Sequence, residues 1–353
     1  MIVGHVSLRN FRSYAGLDLD LAPGLVLVTG PNGVGKTNLL EALHVGAQGF
    51  SPRTRAEPRL VSFGEEAARV QLVGTESTTP FTTQVDIAPG APKEIRLNGA
   101  TLARGEELRL RLSALAFTPE RLAVVKGGPL VRRAYLDRML GRIFPSRAEL
   151  PSTYARAIAQ RNAALRRVRA GQSSADAVEP WTLQAATLGT ELDAGRSELA
   201  TLLAPGFADA AAGLGLLDTA FSYEGPGLTV EELEARLDKD LERAITGAGP
   251  HLRDAAITAG GRDLRSFGSQ GEQRVAVLAL VLAEAEVLTE RRGDPPLLLL
   301  DDVFSELDTE RRGALLGRLP LGGQTVITAT HRPGAAEPDL VVEVMPGEAR
   351  VAA

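Results

Sequence analysis

Cysteine is absent from all 353 residues of this chain, so neither a disulfide framework nor a thiolate metal site is open to it. That is compatible with a reducing compartment, and the cytoplasm is the expected location. No apolar run approaches the ~18–20 residues that span a bilayer. The opening Met1-Ile2-Val3-Gly4-His5 also lacks the charged-then-apolar layout of a signal peptide. No membrane partner is expected. Lysine is scarce: Lys36, Lys93, Lys126 and Lys239 are four of 39 basic residues, and the rest are arginine. What remains is an ordinary globular balance, 44% apolar and 24% charged, at a length that suggests two or three domains.

The net charge of −5 does not by itself suggest nucleic acid, but the basic residues are unevenly placed. Ten arginines and only two acids, Asp137 and Glu149, lie between Val131 and Ala170, a local balance of +8. The acids concentrate elsewhere, in Thr229–Glu242 and Asp294–Glu310.

The most specific run is Gly30-Pro31-Asn32-Gly33-Val34-Gly35-Lys36-Thr37. It fits G-x-x-x-x-G-K-[ST] at every fixed position, between an apolar strand candidate (Leu25–Val28) and a helix candidate (Asn38–Val45). Glycines let successive N–H groups converge on one anion, and the helix N-terminus adds partial positive charge. Lys36 reaches the outer phosphates, and the Thr37 hydroxyl can ligate Mg²⁺. The expected ligand is a nucleoside triphosphate.

The first hundred residues read as β-rich, with candidates at His5–Leu8, Leu17–Leu21, Ala68–Val73, Phe81–Ile87 and Glu94–Leu97. After Leu115-Ala116-Phe117 the chain turns helical. Leu150–Ala170 is one helix candidate, and Trp181–Leu203 is another, stopped at Pro205-Gly206. A strand candidate (Asp218–Tyr223) and an acidic helix (Thr229–Ile245) follow, and β/α alternation returns from Ala255. The expected organisation is an α/β head built from 1–116 and 250–353, interrupted by a mainly helical arm at 117–249 that is arginine-rich over 131–170.

Leu297–Leu300 followed by Asp301-Asp302 reads as a buried parallel strand with acids at its carboxyl end, where ligand sites open. Asp301 is then placed to hold Mg²⁺ opposite Thr37, and Asp302 to orient an attacking water. Ser266–Arg274 precedes an apolar helix (Val275–Leu288), and Gln324–Thr330 is a strand candidate ending at His331.

This order of phosphate loop, Ser-x-Gly helix start, Asp-Asp strand and strand-end histidine resembles the ABC-type ATPase head. The resemblance implies that Ser269, Gln270 and Gly271 form a signature segment contacting the nucleotide of a second subunit. It also implies that Ser305-Glu306-Leu307-Asp308 lines the dimer seam and that His331 senses the γ-phosphate. The 229 positions between Thr37 and Ser266 exceed what a compact transporter subunit needs. Leu8-Arg9-Asn10-Phe11-Arg12-Ser13-Tyr14 resembles the start of SMC-like heads. Together with Phe117-Thr118-Pro119-Glu120, Val125–Pro129, Arg132-Arg133 and Leu300–Asp308, the set resembles the bacterial RecF family over essentially the whole chain.

That resemblance implies a P-loop ATPase head of mixed sheet and flanking helices, assembled from the two ends of the chain. It implies an ATP- and Mg²⁺-dependent DNA-binding protein of recombinational repair, replication restart and SOS induction, acting with RecO and RecR to load recombinase at gaps. ATP would drive a homodimeric clamp on duplex, single-strand/duplex junctions or single strands, with a weak DNA-dependent ATPase as the release switch. Asp302 stands where most ABC ATPases carry a glutamate, and Glu272 where the signature carries a glutamine. Phe117–Glu120 is the expected equivalent of the glutamine loop, while Arg53 and Arg55 resemble an arginine loop able to touch γ-phosphate or DNA.

DNA contact is expected from Arg132, Arg133, Arg138, Arg156, Arg161, Arg166 and Arg167, chiefly through the phosphate backbone. Between residues 131 and 181 the arm's only aromatics are Tyr135, Phe144, Tyr154 and Trp181, too few for a stacking platform. Two other classes share the phosphate loop, a transporter ATPase subunit and a phosphotransferase.

Overall fold

Alternating and continuously apolar runs sort into two kinds of sheet in the computed structural model, which describes residues 1–332, 334 and 337–352, without the Glu306 side chain. The alternating runs build an antiparallel sheet of β1 (Ile2–Phe11), β2 (Tyr14–Asp20), β4 (Ala68–Glu76), β5 (Thr79–Ile87), β6 (Glu94–Leu97) and β7 (Ala100–Thr101), ordered β2-β1-β4-β5-β6-β7. The continuous runs build a second sheet of β3 (Gly24–Thr29), β8 (Ala114–Phe117), β12 (Leu297–Leu300), β13 (Gln324–Ala329), β14 (Leu340–Met345) and β15 (Glu348–Val351). Its order is β15-β14-β3-β13-β12-β8, parallel throughout except for the β14–β15 hairpin.

Helix α1 (Lys36–Gln48) fills the space between these sheets. Its Leu39, Leu40 and Leu43 share one core with Val6 and Leu8 of β1, Val70 and Leu72 of β4, and Val28, Leu299 and Val326 of the parallel sheet. Leu298, Leu300 and Ile327, of opposite parity along their strands, are equally buried. A strand covered on both faces has no reason to alternate, which is why β12 reads as four leucines.

The chain divides into one compact unit of 1–122, 209–217 and 269–353, which holds both sheets, and a second of 123–208 and 218–268. The first unit includes α2 (Gly105–Arg111), α10 (Gln270–Arg292) and α11 (Thr309–Leu316). The second carries α3 (Ala123–Lys126), α4 (Pro129–Ile143), α5 (Leu150–Arg169), most of α6 (Glu179–Gly213), α7 (Val230–Ala235), α8 (Leu237–Arg243) and α9 (Leu264–Phe267). It also has its own sheet, β9 (Thr219–Tyr223), β10 (Ala255–Ala259) and β11 (Arg262–Asp263), in the order β11-β10-β9.

Three sequence expectations are corrected. The strand at 255–259 belongs with the second unit rather than with a head half beginning at 250, because it pairs antiparallel with β9. Helix α6 does not stop at Pro205 but continues to Gly213. Leu203, Phe207, Ala210 and Ala211 are buried on either side of the proline, and that packing offsets the ~3 kcal/mol an interior proline costs. The acidic segment Thr229–Ile245 is two short helices broken at Arg236, not one. The break accompanies burial of Asp240, which is committed to a long-range ion pair described below.

Candidate nucleotide site and basic arm surface

The phosphate loop leaves β3 and enters α1 through three glycines at positive φ: Gly30 at 152°, Gly33 at 81° and Gly35 at 119°. A Cβ on Gly30 would stand 2.5 Å from the Val344 carbonyl oxygen, and one on Gly35 would stand 2.8 Å from Ser13 Oγ. Both conformation and space therefore demand glycine there. Tyr14 donates its hydroxyl to the Gly35 carbonyl at 3.0 Å, and burial pushes that phenol's pKa up. Gly35 also occupies the N-cap of α1, so no side chain caps this helix and its first turn contains no acid. Pro31, Asn32 and Gly33 are exposed and Val34 is half-buried.

Lys36 is buried and folds over the loop, donating to the carbonyls of Gly30 at 2.6 Å and Pro31 at 2.8 Å. Burial lowers its pKa, while Asp302 and Asp301 act in the opposite direction. Across the loop, Thr37 Oγ1 donates to Asp301 Oδ1 at 3.0 Å, joining residues 264 positions apart. Thr328 Oγ1 donates to the same oxygen at 2.7 Å and accepts the Asp302 N–H at 2.8 Å. Burial raises the Asp301 pKa, with the two threonine hydroxyls opposing it. A hydroxyl and one carboxylate sharing a point at the mouth of a phosphate loop suit a hard cation that also takes phosphate and water oxygens. Among the described residues no group of three or more His, Cys, Asp or Glu could hold a metal by itself. The donor set therefore fits Mg²⁺ held jointly with phosphate rather than in a protein cage.

Asp302 is exposed and sits in the left-handed region (φ 51°, ψ 32°). It lines a small pocket of about 50 Å³ with Phe117, Gly271, Arg274 and Arg311. Ser305 Oγ donates to the Asp302 carbonyl at 2.9 Å, and Asp308 caps α11 by accepting the Arg311 N–H. His331 is exposed on a separate groove that it shares with Gly30 and Pro31.

Ser269 is the N-cap of α10. Its Oγ accepts the Glu272 N–H at 3.3 Å, and the Glu272 carboxylate accepts the Ser269 N–H at 2.7 Å. That backbone hydrogen bond holds the Glu272 carboxyl below its usual range. Ser269, Gln270 and Gly271 are not buried, and a Cβ on Gly271 would meet nothing within 4 Å. Packing among the described residues does not require a glycine there.

Arg53 is not a free loop arginine. It pairs with the fully buried Glu41 at 3.1 Å and with Glu120 at 3.3 Å, and donates to Asn38 Oδ1 at 3.3 Å. Arg12 grips the same Glu41 bidentately at 2.9 and 2.8 Å. Arg55 is exposed. Sequence reasoning passed over Thr328 and Tyr14, although strand register would have set Thr328 beside Asp301.

In the second unit the arginines divide by burial. Arg161 is fully buried, donating to Asp240 at 2.7 Å, Thr246 at 2.9 Å and Thr182 at 3.1 Å. Arg132 is buried against Asp254 and the carbonyls of Val125 and Gly127. Neither is available to DNA, which corrects both assignments: each charge is consumed by an acid from elsewhere in the same unit. Arg133 is half-buried on the Arg253 carbonyl. Arg138, Arg156, Arg166 and Arg167 are exposed. Helix α5 contains no acid, and Arg156, Gln160, Ala163 and Arg167 fall on one stripe at helical spacing. Gln160, exposed between the two arginines, extends the candidate surface beyond what a count of arginines suggested.

Residues 2–351 match the family described as RecF/RecN/SMC N terminal domain. The chain is 36% identical over 345 residues to the DNA replication and repair protein RecF of Heliobacterium modesticaldum, covering 94% of this chain and 93% of that protein. It is 34% identical over 367 residues to the RecF of Symbiobacterium thermophilum, covering 99% and 96%. A solved structure of the recombination mediator protein RecF-ATP in the RecFOR pathway superposes with a TM-score of 0.88 at 29% identity, over 99% of this chain and 97% of that one. An SMC head bound to the C-terminal winged-helix domain of ScpA superposes with a TM-score of 0.60 at 16% identity, over 100% and 97%, a likeness of fold alone.

Proposed function

Because the chain belongs to the RecF/RecN/SMC N-terminal domain family, and within it to the RecF DNA replication and repair proteins, we propose that it is an ATP-gated DNA clamp of recombinational repair. The contact between Thr37 and Asp301 at 3.0 Å carries this reading, since it joins the phosphate loop to the acidic strand end at one point. Membership of this family sets aside the transporter subunit and the phosphotransferase.

Each part of the site has a chemical task. The loop N–H groups and the uncapped start of α1 receive the phosphates, and Lys36 exchanges the two loop carbonyls for phosphate oxygens. Thr37 and Asp301 hold Mg²⁺, which when bound neutralises charge on the outer phosphates. Asp302 orients the lytic water. Its side chain is shorter than a glutamate's, which supports slow hydrolysis and a switch rather than a motor. His331 senses the γ-phosphate.

The open space around Gly271 supports a partner's phosphate at the start of α10, and hence a two-fold dimer whose two nucleotides are buried at the seam. The exposed α5 stripe supports contact with the DNA backbone, duplex and junctions ahead of free single strands. Action with RecO and RecR at gaps, and a place in SOS induction, follow from the family reading.

Sedimentation with Mg²⁺ and ATP, with and without a gapped duplex, tests the clamp. The expected result is a dimer that needs ATP, is lost in Lys36→Arg, lives longer in Asp302→Asn and is favoured by DNA. A monomer under every condition refutes the dimer and the contact in trans.

A further inference from the structure

Strand register sets an unused hydroxyl level with Asp301. The β12–β8 pairing sets Leu300 against Phe117, and the Asp301 N–H continues the ladder to the Phe117 carbonyl at 2.9 Å. Residues 301 and 118 therefore stand at one level on neighbouring parallel strands, with side chains on the same face. Pro119 holds Thr118 in the extended region, so the strand direction carries through it. The other flank gives an internal check. The β12–β13 pairing sets Leu300 against Ile327, and the next residue, Thr328, does reach Asp301, at 2.7 Å. Thr118, Asp301 and Thr328 thus form a row across the carboxyl ends of three strands.

The three hydroxyls around Asp301 are not equivalent. Those of Thr37 and Thr328 are both spent on Asp301 Oδ1. Thr118 is fully buried, and among the described residues its Oγ1 has no hydrogen-bond partner. A buried hydroxyl without a partner is destabilising, and a valine of the same shape would avoid the penalty. The turn that follows is also moored to the helix carrying Thr37: Arg53 joins Glu120 to Asn38 and Glu41 of α1.

We propose that the Thr118 hydroxyl is a positioning group of the magnesium site, holding a water of the cation's hydration shell against the end of β8. Mg²⁺ keeps several waters when a protein supplies few ligands. Here the protein offers one hydroxyl and one carboxylate directly, so those waters need an outer partner. The proposal rests on the nucleotide reading above and adds a residue to it.

The test is ATP binding by calorimetry on the full chain, titrated against Mg²⁺ and repeated in EDTA, for wild type, Thr118→Val, Thr118→Ala and Thr118→Ser. In Thr118→Val and Thr118→Ala the Mg²⁺ concentration that supports ATP binding is expected to rise about tenfold, as for loss of an outer-shell partner. Metal-free ATP binding should stay as in wild type. Thr118→Ser should restore the wild-type Mg²⁺ dependence, and nucleotide-free Thr118→Val should melt no lower than wild type. An unchanged Mg²⁺ dependence in Thr118→Val, with wild type binding normally, overturns this proposal alone. Wild-type protein that binds no ATP overturns the nucleotide reading and takes the proposal with it.

Discussion

Two clusters of polar groups in this chain are built on opposite terms. In the helical unit, Arg161 is saturated: its guanidinium meets Asp240, Thr246 and Thr182, and Asn162 Oδ1 in turn accepts from Thr246. In the ATPase unit, Asp301 is desolvated, Lys36 leans on loop carbonyls, the exposed Asp302 is left-handed and the Thr118 hydroxyl has no partner among the described residues. The first arrangement closes on itself and can only stabilise. The second leaves valence and strain in place, as a site does when it is shaped for something else.

The largest expected effect breaks the saturated cluster. Asp240→Ala strands a fully buried guanidinium and should destabilise the helical unit by about 3–5 kcal/mol. The chain's single tryptophan, Trp181, packs against the core of Ala164, Leu165 and Val178 in that unit, so its fluorescence during urea unfolding reports there directly. A loss below about 1 kcal/mol would mean that Arg161 finds water or another acid.

The matching change in the ATPase unit should have the opposite sign. Burial raises the Asp301 pKa, so its ionised form is disfavoured in the fold. Asn at 301 can still accept from Thr37 and Thr328 without burying a charge. Asp301→Asn is expected to melt at or above the wild-type temperature, while ATP binding loses its response to Mg²⁺. A marked drop in melting temperature would place Asp301 with the structural ion pairs instead.

That contrast also explains what the sequence disclosed. The phosphate loop was legible because its requirements are local: three positive-φ glycines, a lysine and a threonine in one run. Leu297–Leu300 was legible because a strand buried on both faces must be apolar throughout. The arm's arginines were not, since their fate depends on acids far along the chain, 79 positions away for Asp240 and 122 for Asp254. The break at Arg236 and the passage of α6 through Pro205 were hidden for the same reason. Tertiary burial decided both against local propensity.

A smaller effect separates the exposed arginines from the buried ones. Replacing Arg166 and Arg167 together by alanine should leave Trp181 unfolding within about 0.5 kcal/mol of wild type. Each phosphate that is no longer neutralised lowers the slope of log K against log salt by ~0.9. The double variant should therefore bind duplex DNA with a slope shallower by up to about 2 units. An unchanged slope would move the DNA surface off the end of α5.

The smallest expected effect lies where the two styles of construction meet, at the start of α10. Glu272 completes a capping box with Ser269, a self-satisfied arrangement, yet the surrounding surface is open and a side chain at Gly271 would meet no neighbour. The cap places a carboxylate where the dimer reading requires a phosphate, and its depressed pKa keeps it ionised at neutral pH. In Glu272→Gln the amide oxygen can still accept the Ser269 N–H, so the helix loses only the interaction of a negative charge with its N-terminus, about 0.3–1 kcal/mol. Removing the same charge eases the approach of the partner's γ-phosphate. ATP-dependent dimerisation measured by sedimentation equilibrium should tighten several-fold, with ATP binding to the monomer unchanged. The sign matters more than the size. A tighter dimer from a slightly weaker helix is the outcome expected of a cap that competes with an incoming phosphate. A looser dimer would show that Glu272 serves the seam only by holding α10 together.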